Sequence, residues 1–169
     1  RMHKGLFLST NVGMNAIEIA CWDILGKSLG VPLWQLLGGK QRSRLRVYAN
    51  GWYTGPRYPG FFAEAAAQVV EMGYTALKFD PFPNPWRAYI DRSGEQSAVE
   101  RVRAVREAVG PEVEILVEVH RRLAPMHAVR VARQLEPYRP FWYEEPVSAR
   151  DIDGLAEARS QISIPVVTG

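Results

Sequence analysis

The chain has 169 residues, of which 47% are hydrophobic and 23% charged, a balance that is typical of globular proteins and excludes disordered or collagen-like chains. Its single cysteine, Cys21, excludes an internal disulfide and favours a reducing compartment, so we expect a cytoplasmic protein. Arginines interleaved with glutamates give a net charge of only +3, and no apolar run reaches the roughly 18 residues of a membrane span, so we expect no nucleic-acid or membrane partner.

The first part of the chain, residues 1–44, is predicted to be a helical segment that leads into the rest of the fold. Ser9–Asn11 offers N-cap residues to a helix that ends at Gly30, and a short second helix is predicted over Leu33–Leu37. Cys21 lies within the first helix, where we expect it to pack in the core.

Residues 45–169 show an alternation of short β-rich runs with amphipathic stretches of helical spacing. The runs are Leu45–Asn50, Thr75–Phe79, Glu114–Val119, Phe141–Glu144 and Ile164–Thr168. Strands joined by single helices run parallel, which predicts an α/β fold that is either a doubly wound sheet or a (β/α) barrel. The segment Asn50–Gly55 carries no phosphate-binding fingerprint, which favours a barrel with about five parallel strands in this chain.

Charged residues stand at the ends of the predicted strands, which is where barrel enzymes carry their chemistry. Glu118 and Glu144 end neighbouring strands, and two such carboxylates in a common site would suit Mg²⁺. His120 shares the face of Glu118, and Lys78 approaches the same centre from the preceding strand. Taken singly, each of these residues also fits a structural role, and Asp80 fits simple turn chemistry.

Other polar residues are interpreted as structural. Arg121 and Arg122 are expected in a solvated loop, and His3 and His127 at the surface. The Pro-rich segment after Asp80 is either an ordered surface loop or the border of a pocket, in which Arg87 would meet a substrate carboxylate.

Several stretches of the sequence resemble one known family. They are Asn15–Lys27, Gly30–Leu33, Leu36–Gly39 and Trp142–Pro146. In this order they resemble the mandelate racemase and muconate lactonizing branch of the enolase superfamily, which implies a TIM-type (β/α) barrel with a capping domain. Because a whole barrel needs roughly 250 residues, we expect the later strands and the capping domain to lie outside this chain.

The resemblance implies a Mg²⁺ site held by carboxylates at the ends of consecutive strands. By position, Glu118 would be the first ligand and Glu144 the second, and the third would follow Gly169. Many members of the family carry the pattern Lys-x-Lys after the second strand, where this chain reads Lys78-Phe79-Asp80. The missing second lysine argues against a racemase that uses a lysine on each side of the substrate.

The run Glu118-Val119-His120 resembles the galactonate and gluconate dehydratases of that branch, in which the histidine protonates a leaving hydroxyl. The resemblance therefore implies a hydro-lyase that acts on a small sugar acid, and we expect a homo-oligomer of the full-length protein and no activity from this chain alone. The alternatives are an epimerase, racemase or cycloisomerase with Lys78 as its base, and a non-catalytic barrel fragment. The general base is expected later in the barrel.

Overall fold

The computed structural model describes residues 3–83 and 89–168, with side chains from residue 13 onward. It divides into two compact units, Arg1–Arg46 and Val47–Gly169. Arg87 and Gly169 lie outside the described residues. Within the described ranges, no helix is long and apolar enough to cross a membrane.

The first unit contains helix α1, His3–Leu29, and the short helix α2, Leu33–Leu36. The predicted N-cap at Ser9–Asn11 is wrong, because α1 continues through these residues as regular helix. The prediction that Cys21 packs in the core is also wrong: its side chain is exposed. Among residues 13–29, only Gly26 is buried, where an added Cβ would lie 3.0 Å from the backbone oxygen of Val31.

Four longer helices belong to the second unit. They are α3, Pro59–Glu71; α4, Arg92–Val109; α5, Pro125–Leu135; and α6, Ile152–Ser160. Helices α3 and α5 begin with a proline, whose fixed φ suits the first helical turn. The side chains of Asp91 and Asp151 cap α4 and α6 by accepting hydrogen bonds from the backbone N–H of Gly94 and Gly154.

The strands of this unit form one parallel sheet. They are β1, Ala76–Phe79; β2, Glu114–Glu118; β3, Trp142–Glu144; and β4, Val166–Val167, in the order β1-β2-β3-β4. The predicted strand at 45–50 forms only a parallel bridge between Ala49 and Leu77, so the described residues contain four strands and not five. The chain turns away after this bridge at Gly51, whose φ of 78° is the left-handed conformation that glycine favours.

The two faces of the sheet have different roles. Leu77, Phe79, Ile115, Val117 and Tyr143 are fully buried and belong to the core that the sheet shares with the helices. Because side chains alternate along a strand, the intervening residues of β1, β2 and β3 point to the opposite face. The predicted charged residues lie on that second face, at the carboxyl ends of the strands.

Candidate active site

Lys78 joins the carboxylates of two neighbouring strands. Glu118 and Glu144 are register partners at the ends of β2 and β3, and Lys78 Nζ lies 2.8 Å from Glu118 Oε2 and 2.5 Å from Glu144 Oε1. The second oxygen of Glu144, Oε2, accepts a hydrogen bond of 2.9 Å from Trp142 Nε1. Three of the predicted site residues therefore converge on one point, where a single cation serves both carboxylates.

The surroundings of Lys78 stabilise its charged form. Burial alone would lower the pKa of Lys78, but the hydrogen bonds that it donates to Glu118 and Glu144 outweigh burial and raise that pKa above its ordinary value. In this arrangement Lys78 donates hydrogen bonds to both carboxylates and serves as their counter-charge.

A second cluster of polar groups adjoins the first. His120 Nδ1 lies 2.8 Å from Asp80 Oδ2, and Arg122 donates to the same carboxylate oxygen. The backbone N–H of His120 donates to Glu118 Oε1 at 2.8 Å, so the two clusters share Glu118. The backbone of His120 therefore adjoins the paired carboxylates, while its imidazole lies against Asp80.

The backbone at these strand ends adopts an uncommon conformation. His120, Arg121 and Glu145 have left-handed φ values of 57°, 61° and 47°. The N–H of Arg121 donates to the backbone oxygen of Glu145 at 2.7 Å, and its Nε donates to Glu145 Oε1 at 2.6 Å. Non-glycine residues hold this conformation only where their surroundings impose it, and they concentrate at functional sites.

Two of the structural interpretations made from sequence are wrong. Arg122 is 6% exposed and pairs with the carboxylate of Asp80, so it does not belong to a solvated loop. Asp80 is 8% exposed and does show the predicted turn chemistry, because its Oδ1 accepts a hydrogen bond from the N–H of Phe82 two residues on. His127 is 3% exposed rather than at the surface, and its Nδ1 lies 2.8 Å from Glu95 Oε1. Asp80 follows Lys78 by two positions, so strand alternation applied one residue beyond β1 would have placed it on the functional face.

The donor chemistry of the paired carboxylates fits Mg²⁺ in part. Glu118 and Glu144 offer hard oxygen ligands that already converge on one cation, the ammonium of Lys78. Within residues 13–83 and 89–168, no three His, Cys, Asp or Glu side chains are grouped so that they could hold a metal ion. The described part of the chain therefore supplies two candidate ligands, and a complete site needs others.

Comparison with known proteins shows the protein family to which the chain belongs. Residues 61–169 match the family model described as enolase C-terminal domain-like, which is more than half of the chain, so the chain belongs to the enolase superfamily. Residues 1–38 match the N-terminal domain of the mandelate racemase and muconate lactonizing enzymes, which places the chain in that branch. These matches confirm the resemblance seen in the sequence and the TIM-type barrel that it implies.

Two of the similar proteins are named as sugar-acid dehydratases. The D-gluconate dehydratase of Thermoproteus tenax is 48% identical over 156 residues, a match that spans 92% of this chain and 31% of that protein. The D-gluconate/D-galactonate dehydratase of Picrophilus torridus is 39% identical over 156 residues, spanning 92% of this chain and 40% of that protein.

A solved structure agrees with the described fold. The crystal structure of a member of the enolase superfamily from Salmonella Typhimurium matches with a TM-score of 0.82 and 33% identity, over 90% of this chain and 44% of that chain. The chain therefore spans 31% to 44% of the length of these three relatives.

Proposed function

We propose that the protein to which this chain belongs is a Mg²⁺-dependent sugar-acid dehydratase. It would remove the proton at C2 of an aldonic acid and expel the hydroxyl at C3 as water, and the enol so formed would become a 2-keto-3-deoxy acid. The observation that carries the proposal is the contact between the backbone N–H of His120 and Glu118, the register partner of Glu144, in a chain similar to two proteins named as gluconate dehydratases.

Glu118 and Glu144 would hold Mg²⁺ together with ligands from outside the described residues. When bound, the ion supplies positive charge that stabilises the enolate formed from the substrate carboxylate. Lys78 would add a second positive charge beside that carboxylate, since its own carboxylate partners would then face the metal.

His120 would protonate the departing C3 hydroxyl. Hydroxide is a poor leaving group, so a positioned acid at this step lowers the barrier, typically by a factor of 10²–10⁴ in rate. The epimerase and cycloisomerase alternatives need Lys78 as a base, and the similarity of the chain to two proteins named as gluconate dehydratases supports the dehydratase over them.

The test is a His120→Asn substitution in the full-length protein, assayed on a panel of sugar acids with Mg²⁺ for 2-keto acid formation. We expect turnover to fall by at least about 10³-fold, because asparagine cannot donate a proton to the leaving group. Mg²⁺ affinity, measured by calorimetry, should change less than about threefold, since the imidazole is not one of the proposed ligands.

A His120→Asn protein that keeps its turnover would contradict the role of His120. A Gln161→Ala protein provides the matched control, because Gln161 lies beyond the end of α6 at an exposed position. If no sugar acid yields a 2-keto acid with the unmodified protein, the proposed reaction itself is wrong.

A further inference from the structure

Three arginines hold the first four residues of the loop that follows β1. In the segment Asp80–Pro83, Arg57 Nη2 donates to two backbone oxygens at 2.8 and 2.7 Å, and Arg101 Nη1 donates to a third at 2.5 Å. Arg122 Nη1 reaches a fourth at 3.4 Å. Charge-assisted hydrogen bonds to so many carbonyl groups of one short segment hold its backbone in a single path. The backbone that bears the side chain of Asp80 is therefore held in a fixed position.

The carboxylate of Asp80 faces donors on both of its oxygens. Oδ1 accepts a 2.9 Å hydrogen bond from the N–H of Phe82, and Oδ2 accepts from Arg122 and lies 2.8 Å from His120 Nδ1. A carboxylate that is paired with a buried guanidinium accepts hydrogen bonds and donates none. Arg122 Nη2 also lies 3.4 Å from His120 Nδ1, but the contact of Nδ1 with Asp80 Oδ2 is much shorter, at 2.8 Å. The shorter contact favours the proton on Nδ1, and the neutral ring then carries its lone pair on Nε2.

We propose that Asp80 is a positioning residue for His120. It holds the imidazole in one orientation with Nδ1 protonated, so that Nε2 is the atom that exchanges a proton: the imidazolium form gives its Nε2 proton to the leaving hydroxyl and becomes the neutral Nδ1–H tautomer. The backbone of His120 is fixed as well, because its N–H donates to Glu118 Oε1 at 2.8 Å and its φ is 57°. The step assigned to Nε2 rests on the proposed dehydratase function, whereas the orientation of the ring does not.

The tautomer of His120 tests the orientation without any turnover. We suggest ¹⁵N spectra of histidine-labelled full-length protein at about pH 9, well above the ordinary imidazole pKa of about 6.5, with the His120 resonances assigned from a His120→Asn spectrum. The unmodified protein should show Nδ1 protonated and Nε2 unprotonated. In an Asp80→Asn protein this preference should be lost. A ring protonated at Nε2 in the unmodified protein, or the same tautomer in both proteins, would overturn the proposal.

Kinetics test the consequence for catalysis. Asp80→Asn should lower kcat by about 10²-fold and change KM less than about threefold, because the substrate is still bound but the proton donor is misplaced. Asp80→Glu keeps a carboxylate and should recover at least about tenfold of this loss. A matched control is Asp151→Asn, at an N-cap where asparagine serves equally well, and it should leave kcat unchanged.

A double-mutant cycle separates positioning from a merely structural role. If Asp80 acts through His120, then adding Asp80→Asn to the His120→Asn protein should lower its residual rate by less than about twofold. Equal losses in both backgrounds would overturn the proposal. Failure of the proposed function looks different: the unmodified protein then forms no 2-keto acid, and the ¹⁵N measurement alone decides whether Asp80 positions the ring.

Discussion

Lys78 is the residue on which the charge balance of the candidate site depends. The side chains of Lys78, Glu118 and Glu144 are 12%, 5% and 21% exposed, so solvent screens their charges poorly. One ammonium between two carboxylates leaves a net charge of −1. Without the ammonium, two neighbouring anions at the sheet end would repel each other across a short distance.

Replacement of Lys78 by methionine should therefore destabilise the metal-free protein. In EDTA we expect the free energy of unfolding to fall by about 3 kcal/mol, because two poorly hydrated carboxylates lose their shared counter-charge. Addition of Mg²⁺ should recover more stability in the Lys78→Met protein than in the unmodified one. Urea denaturation with and without Mg²⁺ measures both effects.

An exposed ion pair provides the comparison for Lys78. Lys27 pairs with Asp23 at 2.6 Å, but the two side chains are 75% and 53% exposed. Lys27→Met should not change the stability measurably, since exposed pairs contribute little. If Lys78→Met were as stable as the unmodified protein in EDTA, the ammonium would not be the needed counter-charge.

The sequence predicted this first cluster better than the second. Lys78, Glu118 and Glu144 stand at the ends of apolar strands, and strand geometry brings equivalent ends together. Asp80 and Arg122 lie in loops, whose path depends on contacts with residues distant in the sequence. Local rules for turns describe such residues as solvated, and only the folded structure shows their burial.

At the scale of elements, a buried cluster joins the N-terminal parts of α4 and α5. Glu95 of α4 accepts hydrogen bonds from His127 and Arg130 of α5, and both Glu95 and His127 side chains are 4% exposed. Burial alone would raise the pKa of Glu95, but the hydrogen bonds from Arg130 and His127 outweigh it and lower that pKa below its ordinary value. The cluster is therefore strongest when Glu95 is ionised.

This cluster makes stability depend on pH. Because the pKa of Glu95 is lower in the folded than in the unfolded chain, its contribution is complete above the ordinary value of about 4.3 and is lost as the pH falls through the folded value. A Glu95→Gln protein should unfold more easily at pH 7, by about 2 kcal/mol, and the difference from the unmodified protein should shrink below about pH 4. Denaturation curves across this range measure it.

The control for Glu95 lies on the same helix. Glu107 is exposed and reaches Arg103 only at 3.9 Å, so Glu107→Gln should leave the pH dependence of stability as it was. A difference between the Glu95→Gln and unmodified proteins that stays constant from pH 7 to about pH 3 would show that ionisation of Glu95 is not the cause.

The strands were predicted well where a continuous apolar run alone specifies a strand. The runs Glu114–Val119 and Phe141–Glu144 contain β2 and β3, because a buried parallel strand needs a continuous apolar stretch. The run 45–50 has similar composition but meets a strand partner only at Ala49, and a strand exists only where a neighbour completes its hydrogen bonds. Likewise, α1 passes through Ser9–Asn11 because local capping preference is weak beside a continuing helix.

At the scale of the whole molecule, the site is assembled from elements far apart in the sequence. Lys78, Glu118 and Glu144 come from three strands, and the parallel sheet alone makes their ends adjacent. The relatives are longer than this chain, and a metal site of the proposed kind takes its remaining ligands from other strand ends. In the proposed reaction, catalysis would be a property of the full barrel, to which this sheet would contribute two oxygen ligands, an ammonium and an imidazole.

The strictest test of that assembly is metal binding by the full-length protein. Glu118→Gln and Glu144→Gln should each weaken Mg²⁺ binding by about 10- to 100-fold in calorimetry and lower turnover at least as much, because an amide oxygen is a poorer ligand for a hard cation than a carboxylate. Glu157→Gln, at an exposed position of α6, should change neither quantity. Unchanged Mg²⁺ affinity in both ligand variants would show that these carboxylates serve only as partners of Lys78, and the metal-dependent reaction would then have to be carried by a different set of residues.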